Sequence, residues 1–244
     1  MKNAIIYGAG GAVGDQVARA FEADGIRVFR TGRTPAPGIT VVDALDEAAV
    51  EAHADAVLAE AGSIDISFNA TSLPQAGIQG TRPAELSVEA FERPLAAYPR
   101  SSFITARAAA RRMIGQGSGV ILTITASPSR TAVPLMGGMA PAWAAVEAMS
   151  RGLAAELGPH GVRVVCLNAA GMPETAQLTE VYGLHAEAYG ITGDDFHARM
   201  AERTLRKRLP TVAEIADAAV FAASDRAAAM TGAILNLTGG LIAD

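Results

Sequence analysis

The stretch Met1-Lys2-Asn3-Ala4-Ile5-Ile6-Tyr7-Gly8-Ala9-Gly10-Gly11-Ala12-Val13-Gly14 decides how the chain is read. Asn3 to Tyr7 is a short apolar run, as expected of a buried strand. Gly8, Gly10, Gly11 and Gly14 then allow a tight turn and close backbone approach to a bound group. From Val13 the pattern becomes helical, with Val13, Val17 and Phe21 four apart on one face. Strand, glycine turn and helix N-terminus together form a site for a dinucleotide pyrophosphate, because free amide N–H groups and the helix dipole both point at the anion. Glycine turns are common, so the motif draws its weight from its place between a strand and a helix.

The 244 residues, half of them hydrophobic, suffice for one large α/β domain with a core on both faces of a sheet. The net charge is −5 and no basic run stands out, which argues against nucleic acid as a partner. Lys2 is followed by only a brief apolar stretch before Asp15, so no signal peptide is expected. The uncharged run from Thr131 to Val146 is too short to span a bilayer and holds Pro134, Gly137, Gly138 and Pro141. The single cysteine, Cys166, lies in an apolar, strand-like run and reads as a packed core residue rather than a nucleophile. These features predict a cytoplasmic protein acting on a small molecule, with no membrane partner.

Strand and helix patterns alternate along the rest of the chain. Further strands are expected at Ile26 to Arg30, Ile39 to Val42, Ile64 to Phe68, Gly119 to Thr125, Val162 to Leu167 and Ala233 to Leu237. Helices are expected at Asp46 to Ala61, with Gly62 as the stop, and at Pro141 to Leu157 and Ala213 to Ser224. Glu89 to Tyr98 and Ser101 to Ile114 read as a pair kinked or interrupted by Pro99. Near-continuous apolar strands separated by helices mean a parallel sheet covered on both faces, here one doubly wound, Rossmann-like domain over residues 1–244 with seven strands. The more polar segment from Glu174 to Pro210 breaks this rhythm after the sixth strand. In such a sheet ligands bind beyond the strand C-termini, so residues 174–210 are expected to form a substrate lid. His185, His197, Asp194 and Asp195 within it lack metal-ligand spacing, and no metal is expected.

Taken together, these landmarks resemble the short-chain dehydrogenase/reductase superfamily, and the resemblance covers essentially the whole chain. Tyr7 to Gly14 is similar to that family's Thr-Gly-x-x-x-Gly-x-Gly, with Ala12 in place of the middle glycine. Asp43, followed by Ala44, resembles the aspartate the family places near the adenine. Phe68-Asn69-Ala70-Thr71 is similar to its Asn-Asn-Ala-Gly. Gly161-Val-Arg-Val, Ser224-Asp-Arg, Met230-Thr-Gly and Thr238-Gly-Gly match its later landmarks. Ala170-Gly171-Met172-Pro173-Glu174-Thr175 resembles its Pro-Gly-x-x-x-Thr with one extra residue, although Pro173 lacks the backbone N–H that would hold a nicotinamide carboxamide there. Thr175 is the remaining candidate for that contact. The family's helices matching 101–114 and 141–157 commonly pack against a second subunit, which implies a homo-oligomer.

The resemblance implies a nicotinamide dinucleotide, and charge selects which one. The second strand ends Arg30-Thr31-Gly32-Arg33, with Gly32 where NAD-type members carry aspartate. Arg33 suits a 2′-phosphate, so NADP(H) is favoured over NAD(H). The catalytic pattern departs from the family. Aligned on Ala154-Ala-Glu-Leu, its tyrosine falls on Met139, its lysine on Trp143, its serine on Ala126 and its relay asparagine on Tyr98. No tyrosine or lysine occurs between Tyr98 and Tyr182, so no shift of register restores the pair. A positioned acid contributes about 10²–10⁴-fold to carbonyl reduction, and methionine has no proton to give.

Three functions are compatible with this sequence. A redox enzyme could pass hydride to an imine or activated alkene, with Met139, Trp143 and Tyr98 forming an aromatic pocket for a cationic ring. Met139 and Trp143 could equally fill the vacated space. A cyclase, isomerase or lyase could use Thr125, Ser127, Ser129 or Tyr98 as polar groups. A catalytically inactive protein could sense the nucleotide or support a partner subunit.

Overall fold

The computed structural model describes residues 1–243. Seven strands form one parallel sheet: β1 (Asn3–Tyr7), β2 (Arg27–Gly32), β3 (Thr40–Val41), β4 (Ile66–Asn69), β5 (Gly119–Ala126), β6 (Val162–Ala169) and β7 (Ala233–Leu237). Their spatial order is β3-β2-β1-β4-β5-β6-β7. The strand order reverses at β1 and β4, so a crevice opens beyond their C-termini, where ligands of such sheets bind. In register, Tyr7 lies beside Thr31 on one side and Asn69 on the other. The three loops that leave these residues therefore converge.

Helices α1 (Ala12–Ala23) and α7 (Val212–Ala223) cover one face, and α2 (Glu47–Ala61), α3 (Val88–Gln116) and α4 (Met139–Leu157) cover the other. On the first face Ala4, Ile6, Ile66, Phe68, Leu122 and Leu167 pack against Val17, Phe21, Ile215 and Ala219. On the second, Ile5, Ile121 and Val164 pack against Val50, Ala108 and Met113. Each fully buried large apolar side chain contributes about 1.5–3 kcal/mol. Burial on both faces is why the strands are apolar without alternation. Local signals set the ends of α2: the Asp46 carboxylate accepts from the N–H groups of Ala48 and Ala49, and Gly62 stops the helix at φ 81°.

The structure corrects two expectations from the sequence. Residues 88–116 form a single helix that runs through both Pro94 and Pro99. Each proline forfeits one backbone hydrogen bond. The Ser87 cap and the burial of Pro94, Tyr98, Ile104, Ala108 and Met113 keep the helix continuous. The third strand is also shorter than expected, only Thr40–Val41, because it is exposed and pairs with β2 alone. Within residues 174–210 lie two helices, α5 (Ala176–Tyr189) and α6 (Gly193–Glu202), held together by an apolar cluster around Tyr182, Leu178 and Phe196.

Candidate functional site

The turn after β1 is built from backbone contacts that leave no room for side chains. Gly8 sits at φ +80°, and a Cβ there would lie 2.8 Å from the backbone of Ala70. A Cβ on Gly14 would lie 2.4 Å from the Gly8 carbonyl oxygen. Gly10 and Gly11 are different: a Cβ on Gly10 would meet nothing within 4 Å, and one on Gly11 only the Gly8 oxygen at 3.5 Å. Gly11 caps α1 without a side-chain hydrogen bond, and the first helical bond runs from the Asp15 N–H to the Gly11 oxygen. The amides of Ala12, Val13 and Gly14 therefore have no acceptor within the helix and face an anion site. This is the cradle a pyrophosphate fits.

A cleft of about 200 Å³ opens over this turn. Its walls come from Gly8, Gly10 and Gly11, from Gly32 to Thr34, from Val42 to Leu45, from Ala70 to Leu73 and from Ala97, Tyr98 and Ser101 of α3. Asp43 is half-buried and accepts the Leu45 N–H at 3.0 Å, while Ala44 is buried beside it. The two arginines near the end of β2, Arg30 and Arg33, are not equivalent. Arg30 is paired with Asp15 and Glu22 of α1 at 2.6 and 2.8 Å. Arg33 is exposed at the cleft and has no ion-pair or hydrogen-bond partner among the described residues. Across the cleft, the Asn69 carbonyl oxygen accepts from the Thr71 N–H at 2.9 Å and from its hydroxyl at 2.7 Å. The Asn69 amide group donates to Thr105 at 3.2 Å, and Thr71 reaches Ser101 at 3.1 Å. Asn69 thus braces the β4 loop against α3.

The other residues singled out in the sequence lie apart from the walls of this cleft. Met139 is fully buried, packed with Ile78, Met136, Ala142 and Val146. Trp143 is half-buried, with its ring centroid 6.0 Å from that of Tyr98. Ser127 is buried at the start of a single 3-10 turn, Ser127–Ser129. Gly171 lies against Leu178 and Tyr182, whose atoms would sit 2.6–3.0 Å from an added Cβ. Thr175 caps α5: its hydroxyl accepts from the Leu178 N–H and donates to the Met172 oxygen. Among the described residues no group of three or more His, Cys, Asp or Glu converges as a metal site, and no helix is long and apolar enough to cross a membrane.

The structure adds two polar clusters that the sequence analysis did not assemble. Glu147 of α4 is 4% exposed, and one of its oxygens accepts from Thr125 at 2.9 Å, Ser129 at 2.5 Å and Asn168 at 2.7 Å. Thr125 is therefore bound into the interface between sheet and helix. Its other neighbour, Cys166, has its thiol pushed up to about 11, chiefly by burial. The second cluster joins α5 to the β4 loop. Glu180 accepts from the Ala76 N–H at 3.0 Å, and His185 meets Gln79 at 3.0 Å. Burial lowers the His185 imidazole below its ordinary value and keeps it neutral. In Glu147's case a sequence signal existed: an acid three and seven residues before Ser150 and Ala154, in phase with the buried face of an alanine-rich helix.

Residues 8–242 match the family described as enoyl-(acyl carrier protein) reductase. The chain is 32% identical over 260 residues to D-threitol dehydrogenase of Mycolicibacterium smegmatis, covering 98% of this chain and 92% of that protein. Among solved structures, an NAD⁺-bound xylitol dehydrogenase shares the fold at a TM-score of 0.89, with 21% identity over 97% of this chain and 96% of that one. A gluconate 5-dehydrogenase from Burkholderia cenocepacia J2315, in complex with NADP and tartrate, matches at a TM-score of 0.82 and 25% identity, covering 98% of this chain and 94% of that one.

Proposed function

Because the chain belongs to the short-chain dehydrogenase/reductase superfamily and is an oxidoreductase of that fold, we propose that it is an NADP(H)-dependent reductase acting on an imine or activated alkene without a Tyr/Lys acid–base pair. The observation that carries the cofactor reading is the contrast between Arg30, neutralised by Asp15 and Glu22, and Arg33, left free at the cleft. A 2′-phosphate is the dianion that Arg33 can pair with, and Thr34 beside it offers a hydroxyl donor. When bound, the nucleotide supplies hydride. The chain's own part is to hold the pyrophosphate on the amides of Ala12, Val13 and Gly14, and to seat the adenine half against Asp43 and Ala44. Asn69, Ala70 and Thr71 form the opposite wall, and Gly171 and Thr175 lie on the lid side.

The reading extends to a cytoplasmic homo-oligomer, with α3 as one contact helix because it exposes Phe103 and Ile114. The full burial of Met139 favours one second reading, a nucleotide-binding protein whose catalytic space is filled. Titrating NADPH and NADH by fluorescence, then following NADPH oxidation with 2-methyl-1-pyrroline and 2-cyclohexen-1-one, separates the two. NADPH-selective binding with turnover supports the reductase. Binding without turnover supports the second reading, and no binding removes both.

A further inference from the structure

Three polar side chains are buried where α5 meets the β4 loop: Gln75 is 0% exposed, Gln79 3% and His185 2%. They form one hydrogen-bonded chain. The Gln75 amide donates to the Leu73 carbonyl at 2.5 Å, the Gln79 amide donates to the Gln75 oxygen at 2.8 Å, and His185 Nε2 meets the Gln79 oxygen at 3.0 Å. A backbone carbonyl can only accept, so Leu73 sets the direction of the whole chain. Each glutamine turns its NH₂ toward Leu73 and its oxygen toward α5. His185 must therefore donate from Nε2, and in the neutral ring its only N–H proton lies there. Its Nδ1 is left bare, buried and without a partner.

The chain joins α5 to the wall of the cleft. At the α5 end it is reinforced by Glu180, which accepts the Ala76 N–H at 3.0 Å. Gly80, at φ +82°, approaches the same helix so closely that a Cβ there would lie 2.9 Å from the Leu184 carbonyl oxygen. At the other end Leu73 lines the cleft beside Thr71 and Ser72, and its N–H donates to the Tyr98 hydroxyl at 3.3 Å.

A second proton on His185 would have to sit on Nδ1, where it finds no acceptor, and would place a cation between Gln79 and the Phe196 ring 5.3 Å away. The charged and titratable groups around it are engaged elsewhere. Glu180 is held by Ala76, Asp195 of α6 by Thr192, Tyr182 and His197 face one another, and Tyr189 stacks on Phe196. The β4 loop presents only the neutral Gln75 and Gln79. Among the described residues no carboxylate pairs with His185. A buried cation with neither counter-charge nor acceptor is disfavoured, so the closed arrangement requires the neutral ring.

We propose that His185, Gln79 and Gln75 form a proton-operated latch between α5 and the cleft wall, closed while His185 is neutral and released when it takes up a second proton, so that acid speeds exchange of the nucleotide in the cleft. The effect on the cleft rests on the nucleotide-binding reading above; the latch itself does not. Once released, the imidazole titrates near its ordinary value of about 6.5. The closed ring resists the proton, so the latch is at full strength above that value and weakens as pH falls. One unit below it, at pH about 5.5, the ratio of released to closed forms rises about tenfold.

Hydrogen–deuterium exchange of the full-length, nucleotide-free protein, corrected for the intrinsic pH dependence of exchange, reads the latch at the Ala76 amide. Opening there is expected to rise about tenfold between pH about 7.5 and pH about 5.5. His185→Gln keeps a donor toward Gln79 and cannot titrate, so its exchange is expected to stay at the high-pH level throughout. Gln79→Leu breaks the chain and is expected to exchange fast at both pH values. His53→Phe and His197→Phe are expected to keep the wild-type rise. Release of NADPH, followed by stopped-flow fluorescence, is expected to accelerate about tenfold over the same range in the wild type and to stay constant in His185→Gln. A wild-type rise in His185→Gln, or its loss in His53→Phe or His197→Phe, overturns the assignment to His185. A rise at Ala76 with unchanged NADPH release overturns the coupling to the cleft. A rise at Ala76 in protein that binds no NADPH supports the latch and removes the nucleotide reading instead.

Discussion

Two alanine substitutions, Gly14→Ala and Gly10→Ala, test whether the glycine turn is a packed cofactor cradle. At Gly14 the new Cβ would lie 2.4 Å from the Gly8 oxygen and 2.9 Å from the Ala9 Cα, so backbone rather than a flexible side chain must move. Overpacking of this kind costs about 1–3 kcal/mol. For a chain of this size each kcal/mol lowers the melting temperature by roughly 2–4 °C. A fall of about 2–12 °C is expected, with loss of NADPH affinity because α1 shifts away from the turn. At Gly10 the added methyl meets nothing within 4 Å, and the backbone is not left-handed. There Gly→Ala is expected to raise stability by about 0.4–1 kcal/mol through the unfolded chain, yet to weaken NADPH by crowding the open side of the cradle. The assays are thermal unfolding by circular dichroism and NADPH fluorescence titration. Equal melting temperatures for the two variants would refute the packing argument. Unchanged NADPH affinity in both would refute the cradle.

Other perturbations probe the remaining contacts. Arg33→Ala should weaken NADPH binding about 10–100-fold, the worth of one charge-assisted hydrogen bond, and leave NADH unchanged; equal losses for both nucleotides would place the 2′-phosphate elsewhere. Glu147→Ala strands the donors of Thr125, Ser129 and Asn168. It should cost about 1–3 kcal/mol, read as a lower melting temperature, and a wild-type value would show that the cluster is not holding α4 to the sheet. His53 and His185 both have their imidazoles lowered by burial, so below pH about 6.5 the unfolded chain binds more protons than the folded one. Stability should therefore fall as pH drops from 7 to 5.5, and less so in the double variant His53→Phe/His185→Phe; Asp15 and Glu214, whose carboxyls are lowered from 3.8 and 4.5, contribute only at lower pH. Equal slopes in the two proteins would contradict this.

Chain-local physics made much of the fold legible. The apolar run Asn3–Tyr7, the glycines after it and the recurrence of strand and helix patterns are properties of neighbouring residues, and they suffice for a doubly wound parallel sheet. The continuity of α3 was not legible, because a proline's local penalty is visible in sequence while the tertiary burial that outweighs it is not. The same limit applies to the site. Gly8, Gly10, Gly11 and Gly14 declare the turn, but only the structure divides them into two that pack against backbone and two that leave space. Arg30 and Arg33 look alike in sequence, and only the positions of Asp15 and Glu22 on α1 show which one is neutralised. Thr125 reads as a pocket hydroxyl until Glu147, 22 residues further on, is found to accept its hydrogen bond. Gln75, Gln79 and His185 have no common motif. Their meeting is decided by strand order and by where α5 settles, because hydrogen-bond partners are chosen by distance in space and not along the chain.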